Sequence, residues 1–205
     1  MGCIFDNHLN FTLFTDHLCN RAASRIYCFK HLYNFIKPAA AIFYNYYIRP
    51  ILETYPSVLI STSSSNINKL EKIQNRALRI LSRSNHNTQE IINLSEIRKT
   101  FNIPLLESRI HIHFLNKIFK VLQNIDPILL NSLKIYSQPS HRFPLRSIPL
   151  SVNSLHIPKY NKSSYGGKTL EALASTHWNP LPDCLKMCTS QNKFKKITKT
   201  YFLDY

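Results

Sequence analysis

The residues best placed to do chemistry in this chain are cations set at helical intervals. Lys69, Lys72, Arg76, Arg79 and Arg83 recur at steps of three and four between Asn66 and Arg83. At about 100° per residue they fall within an arc of roughly 80°. Leu70, Ile73, Ala77 and Ile80 keep the same steps beside them, the spacing that lines one side of an α-helix. A helix held by its apolar side while presenting a row of Lys and Arg is built to lie against a polyanion, and a nucleic-acid backbone is the commonest such partner. The plain alternative is a solvated charged face on a core helix.

Other reactive residues do not assemble into sites. His177, Cys184 and Cys188 are close in sequence, but the Cys pair has one upstream His and no fourth ligand, so packed thiols are expected and no metal. His111 and His113, two apart on a helix, point away from one another and share no ion. No Gly-x-Ser-x-Gly elbow accompanies the abundant Ser, His and Asp, and no Walker or dinucleotide fingerprint occurs. No catalytic residue and no cofactor are therefore expected. Trp178 is expected to bury against Leu181 and Leu185, and the Tyr44 to Tyr47 run to form core and rim rather than a stacking platform.

The composition agrees with a polyanion partner. Lys plus Arg number 26 against 11 Asp plus Glu, a net charge of +15, with a pI near 9.7. Such charge attracts nucleic acid or anionic lipid without sequence preference. With 44% hydrophobic and 18% charged residues the chain reads as folded, and three Gly disfavour folds built on tight hairpins. No apolar run is long enough to cross a bilayer, and no basic-then-apolar leader opens the chain, so a nuclear or cytoplasmic protein is expected. Five Cys without an export signal read as reduced thiols. Met1-Gly2-Cys3 invites lipidation, but Asp6 stands where that pattern wants Ser or Thr.

The elements that must position the cations are mostly α-helical. Ile4 to Leu13 suits a short extended segment. Leu18, Ala22, Ile26, Phe29 and Tyr33 predict a helix from Asp16 to Phe35, with Thr15 or Asp16 as N-cap. Pro38 opens a second, carrying Ile42, Phe43, Tyr46 and Tyr47, which Pro50 should bend or end near Ile48. Ser61 to Ser65 is a polar break before the striped helix. Asn87 and Glu90 form a capping box for a short helix through about Ile97. Pro104 restarts the chain into Leu105 to Leu122, striped by Leu106, Ile110, Phe114 and Ile118. Tyr136 to Tyr165 is irregular, broken by Pro139, Pro144, Pro149 and Pro158. Short helices follow at Thr169 to Ser175 and Pro182 to Met187, and a last one, basic with Lys193, Lys195, Lys196 and Lys199, begins at Ser190. The expected division is an extended segment 1–15, a helical bundle 16–134, a linker 135–164 and a small helical subdomain 165–205.

Four local patterns carry a resemblance. Gly2-Cys3-Ile4-Phe5-Asp6-Asn7-His8-Leu9-Asn10-Phe11 resembles the strand after the polymerase active site in reverse transcriptases of jockey-type non-LTR retrotransposons. Tyr47-Ile48-Arg49-Pro50-Ile51-Leu52-Glu53 is similar to a block of their thumb, with Thr54 in place of a usual Tyr. Leu70-Glu71-Lys72-Ile73-Gln74-Asn75-Arg76-Ala77-Leu78-Arg79-Ile80 is similar to the block just after it. Tyr165-Gly166-Gly167, Trp178-Asn179-Pro180-Leu181-Pro182 and Phe194-Lys195 resemble their C-terminal tail. The paired Asp that hold two metal ions in such polymerases have no counterpart; Asp6, Asp16, Asp126, Asp183 and Asp204 are scattered.

The resemblance implies a non-catalytic thumb and post-thumb fragment of an RNA-directed DNA polymerase, with 1–15 the remnant of the last palm strand. Its partners would be the palm of the parent enzyme and the RNA or DNA of a template and primer duplex. Arg49, Lys69, Lys72, Arg76, Arg79 and Arg83 are the implied phosphate contacts, neutralising charge without reading bases. Internal salt bridges, Arg49 to Glu53 and Arg76 to Glu71, are the competing roles. A basic helical scaffold or peripheral membrane protein, and a decayed element copy without activity, are the alternative readings.

Overall fold

The structure, a computed structural model, describes residues 2–36, 39–82, 93–123, 133, 153–162 and 166–203. Among these the chain is mostly α-helical, as expected, and no strand occurs. It forms two compact units, Met1–Ile110 and His111–Tyr205.

In the first unit α1 spans Thr12–Ile36, and its buried Phe14, Leu18, Ala22, Ile26, Phe29 and Tyr33 keep the anticipated spacing. The helix starts a turn earlier than the sequence predicts. The cause is Asp6, whose carboxylate accepts the backbone N–H groups of His8 at 3.0 Å, Asn10 at 2.9 Å and Phe11 at 2.6 Å. These bonds, that from Asn10 foremost, hold the Asp6 carboxyl below its ordinary pKa. They tie the preceding residues into a loop, so Leu13, expected in an extended segment, is an exposed helical residue. Thr15 does not cap; its buried hydroxyl donates to the Phe11 carbonyl at 2.8 Å.

α2 (Ala40–Phe43), a π-helical turn (Tyr44–Ile48) and α3 (Arg49–Leu52) run on without a stop. Pro50 lacks an N–H and its ring crowds the carbonyl four residues back, at Tyr46. The chain answers by widening one turn, with the Arg49 N–H donating to the Tyr44 carbonyl, and continues to Leu52 instead of ending at Ile48. Pro38 and the Asn87 and Glu90 pair lie outside the described residues. A short α4 (Pro56–Leu59) starts from Tyr55 at φ 54° with Pro at its first turn, and four residues leave no periodic signal to predict it from.

α5 spans Ser64–Ser82 and packs chiefly on α1. α6 (Leu94–Phe101) is capped by Asn93, whose side chain accepts the Ser95 N–H at 3.1 Å. α7 spans Leu106–Leu122. The buried residues of α1, the π-helical turn and α5 form one core cluster together with Ile97, Ile103, Leu106 and Ile110.

The two units divide inside α7, and the residues flanking the expected 134/135 boundary lie outside the described ones. Leu106 and Arg109 are hydrogen-bonded to α5, whereas Phe119 stacks on Phe194 at 4.3 Å within the second unit. There α8 (Leu170–Trp178) is capped by Thr169, and α9 (Asp183–Lys186) and α10 (Gln191–Leu203) follow. Trp178 is buried as anticipated and donates its indole N–H to the Asn153 carbonyl at 3.0 Å. Asn179 accepts the Leu155 N–H at 2.8 Å and donates to the Leu155 carbonyl at 3.0 Å. The described part of the expected linker is therefore fastened to this unit, with Ser154 and Leu155 buried.

Candidate nucleic-acid interface

On α5 the buried positions are Asn66, Leu70, Gln74, Ala77, Leu78, Ile80, Leu81 and Ser82. Ile73, expected in the apolar stripe, is only half-buried, and Gln74, Leu78 and Leu81 take its place. The packed face is thus broader and turned away from the basic arc, so the cations stand nearly opposite the core instead of beside it. Lys72, Arg76 and Arg79 are exposed, and none has an ion pair among the described residues. Seven residues of helix separate the first from the last, roughly 10 Å of rise. That length matches about three phosphate steps of one strand.

The remaining candidates are placed differently. Lys69 reaches Asp16 on α1 at 2.7 Å, both side chains being about half exposed, an open pair that solvent screens. Arg49 is drawn inward: its Nε meets Glu53 at 2.7 Å and it also reaches the Asn45 side chain. Arg83 lies outside the described residues. Arg76 leaves Glu71 to another partner, Arg98 of α6, at 2.6 Å.

Behind the ridge lies a polar network that the sequence did not announce. The Gln74 carbonyl oxygen accepts the Tyr44 hydroxyl at 3.1 Å and a short bond from Arg109, while its amide donates to Glu71 at 3.2 Å and to the Pro104 carbonyl at 3.1 Å. All four bonding positions of this amide are filled. Glu71 accepts the Leu106 N–H through its other oxygen at 2.8 Å. Buried Arg109 completes the chain by meeting Glu53 at 3.0 Å. Burial pushes the Tyr44 phenol above its ordinary pKa, which keeps it a neutral donor. Glu53 and Arg49 belong to the sequence block 47–53, and Glu71 and Gln74 to the block 70–80. Gln74 was the available signal, a polar residue on the line Leu70, Ala77, Leu81.

Among the described residues of the second unit no comparable binding site occurs. Among the described residues no three His, Cys, Asp or Glu gather as a metal site. Cys184 is exposed, and buried Cys188 turns its thiol to the Cys184 carbonyl at 3.2 Å. His177 packs instead on His111, ring centres 4.8 Å apart, and on Phe114. Burial, and secondarily His111, push its pKa down to about 4. A cavity of about 80 Å³ between Phe119, Asn153, Trp178 and Lys186 is well below the roughly 300 Å³ at which small-molecule sites begin. No helix of the described residues is long and apolar enough to cross a membrane. In comparisons with protein-family models, curated proteins and solved structures the chain matches none.

Proposed function

We propose that this chain is a helical module that holds nucleic acid by its phosphates, the thumb-like portion of a non-LTR reverse transcriptase, with no catalytic carboxylate pair of its own. The observation that carries this reading is the ridge of Lys72, Arg76 and Arg79, outward-facing and without ion pairs among the described residues, on a helix whose opposite face is packed. Point charges on a rigid rod attract any duplex equally, which suits a part that must slide over every sequence. Lys69 joins them when phosphate displaces Asp16. Arg49 serves the network beneath.

The test is duplex binding across a salt series. If all three ridge cations contact phosphate, replacing Lys72, Arg76 and Arg79 by Ala lowers the slope of log affinity against log salt by about 2.7, from 0.9 per contact. Replacing the exposed Lys99, Lys117 and Lys159 removes the same charge and should leave the slope nearly unchanged. Equal effects of the two triple variants would reduce the ridge to bulk charge. Vesicles of anionic lipid, offered as competitor, should release duplex only weakly; full release would favour a membrane-surface role.

A further inference from the structure

The α1 to π-turn region carries a second feature that phosphate contact does not use. The rings of Phe29 and Phe43 stack with centres 5.2 Å apart and planes 7° apart, and Phe43 stacks on Tyr47 at 4.7 Å and 20°. Phe29 is fully buried, Phe43 half-buried, and Tyr47 is 54% exposed. A near-parallel column of rings therefore rises from the core and ends in solvent on a tyrosine. The widened turn at Tyr44–Ile48 holds that last ring over Phe43. Further exposed aromatic surface belongs to the same stretch, with Phe35 at 85% and Tyr46 at 75%.

The sequence that carries this column is charged with one sign. From His17 to Leu52 the chain contains no Asp or Glu, while Arg21, Arg25 and Lys30 fall there, Arg25 and Lys30 exposed; Arg49 is paired with Glu53 just beyond it. An apolar protein partner has no need of such bias; a strand with flat bases and a negative backbone matches both features. We propose that Tyr47 is a stacking site for an unpaired base of single-stranded RNA or DNA, which adds the next member to the Phe29–Phe43–Tyr47 column. The proposal rests on the preceding reading only for the class of partner, extending it from paired to unpaired strand.

The test uses the full chain and an oligonucleotide of about ten nucleotides containing 2-aminopurine, whose fluorescence is quenched on stacking. Wild type should quench the probe. Tyr47→Ala should abolish the quench and weaken single-strand binding by about tenfold, whereas Tyr47→Phe and Tyr47→Trp should retain both. Tyr27→Ala, an exposed ring outside the column, should change neither. A fully paired duplex should bind Tyr47→Ala as well as wild type, so a failed ridge and a failed stacking site give different patterns. Absence of quench in wild type, equal quench in Tyr47→Ala, or loss in Tyr47→Phe would overturn the proposal. A dimer in sedimentation that Tyr47→Ala dissolves, without quench, would assign the column to a second copy and overturn it as well.

Discussion

Replacing Glu71 by Gln isolates the network that stands behind the cationic ridge. One carboxylate oxygen accepts from Arg98 at 2.6 Å and Gln74 at 3.2 Å, the other from the Leu106 N–H at 2.8 Å. An amide of the same shape offers one acceptor oxygen. With that oxygen toward Arg98 and Gln74, its NH2 faces the Leu106 N–H; turned round, it faces a guanidinium and a second amide. Either way donor meets donor. The lost charge-assisted bond is worth about 1.5–3 kcal/mol, and an orphaned N–H adds about 1–3 kcal/mol. The Glu71 side chain is only 16% exposed, so water replaces little of this, and a destabilisation on the order of 3 kcal/mol is expected. For a unit of this size that lowers Tm by about 10–20 °C. Urea denaturation should show a reduced midpoint at unchanged slope. Arg76→Ala, an exposed cation with no ion pair among the described residues, should shift stability by less than about 0.5 kcal/mol. Equal destabilisation by the two variants would mean that Glu71 serves Arg76 and that the ridge is internally neutralised, and none by Glu71→Gln would refute the network as a source of stability.

Further expectations concern the second unit. His177 titrates at about 4 when folded against an ordinary 6.5. The unfolded chain therefore binds the proton first, and the stabilisation, complete above 6.5, is lost as pH falls toward 4. Denaturation midpoints at neutral and mildly acidic pH should show this fall, and His177→Asn should flatten it. Gly166→Ala would drive a new methyl into the Tyr160 side chain, while at Gly167 the nearest atom stands at 3.5 Å, an ordinary contact. Thermal melts should show the first variant destabilised by about 1 kcal/mol or more and the second much less affected.

Elements with a full repeat were legible from the amino-acid sequence. Leu106, Ile110, Phe114 and Ile118 mark α7, and all are buried where the spacing puts them. Trp178 likewise. What escaped was decided by single polar contacts at a distance. Asp6 sets the start of α1 from outside the helix, and no propensity of Thr12 or Leu13 announces that. Pro50 marks a disturbance in the sequence, but whether a helix stops or widens there depends on what holds both sides; here Tyr44 and Ile48 are both fully buried, which keeps the axis running. The outward direction of Lys72, Arg76 and Arg79 was legible from their arc. The fate of Arg49 was legible in part through Glu53 four residues on, whereas the Arg98 partner of Glu71, 27 residues away, was not.

The network and the ridge are best understood as one device. Apolar side chains alone hold a helix loosely in rotation, because Leu70, Ala77 and Leu81 would stay buried if α5 turned by a fraction of a residue step. Hydrogen bonds do not tolerate that freedom. Gln74 has partners on the π-helical turn, on α7 and before it, and Glu71 has partners on α6 and α7. A modest rotation would break several of these at once and leave buried polar groups unpaired, at about 1–3 kcal/mol each. The same bonds therefore fix which way Lys72, Arg76 and Arg79 point. Long cationic side chains bind phosphate best when their stems are already aimed, since less freedom is lost on contact. A buried polar network of this kind contributes little net stability over a well-packed apolar one; its return is a single orientation of the charged face, and that accounts for Glu71 and Gln74 lying on the same helix as the cations they aim.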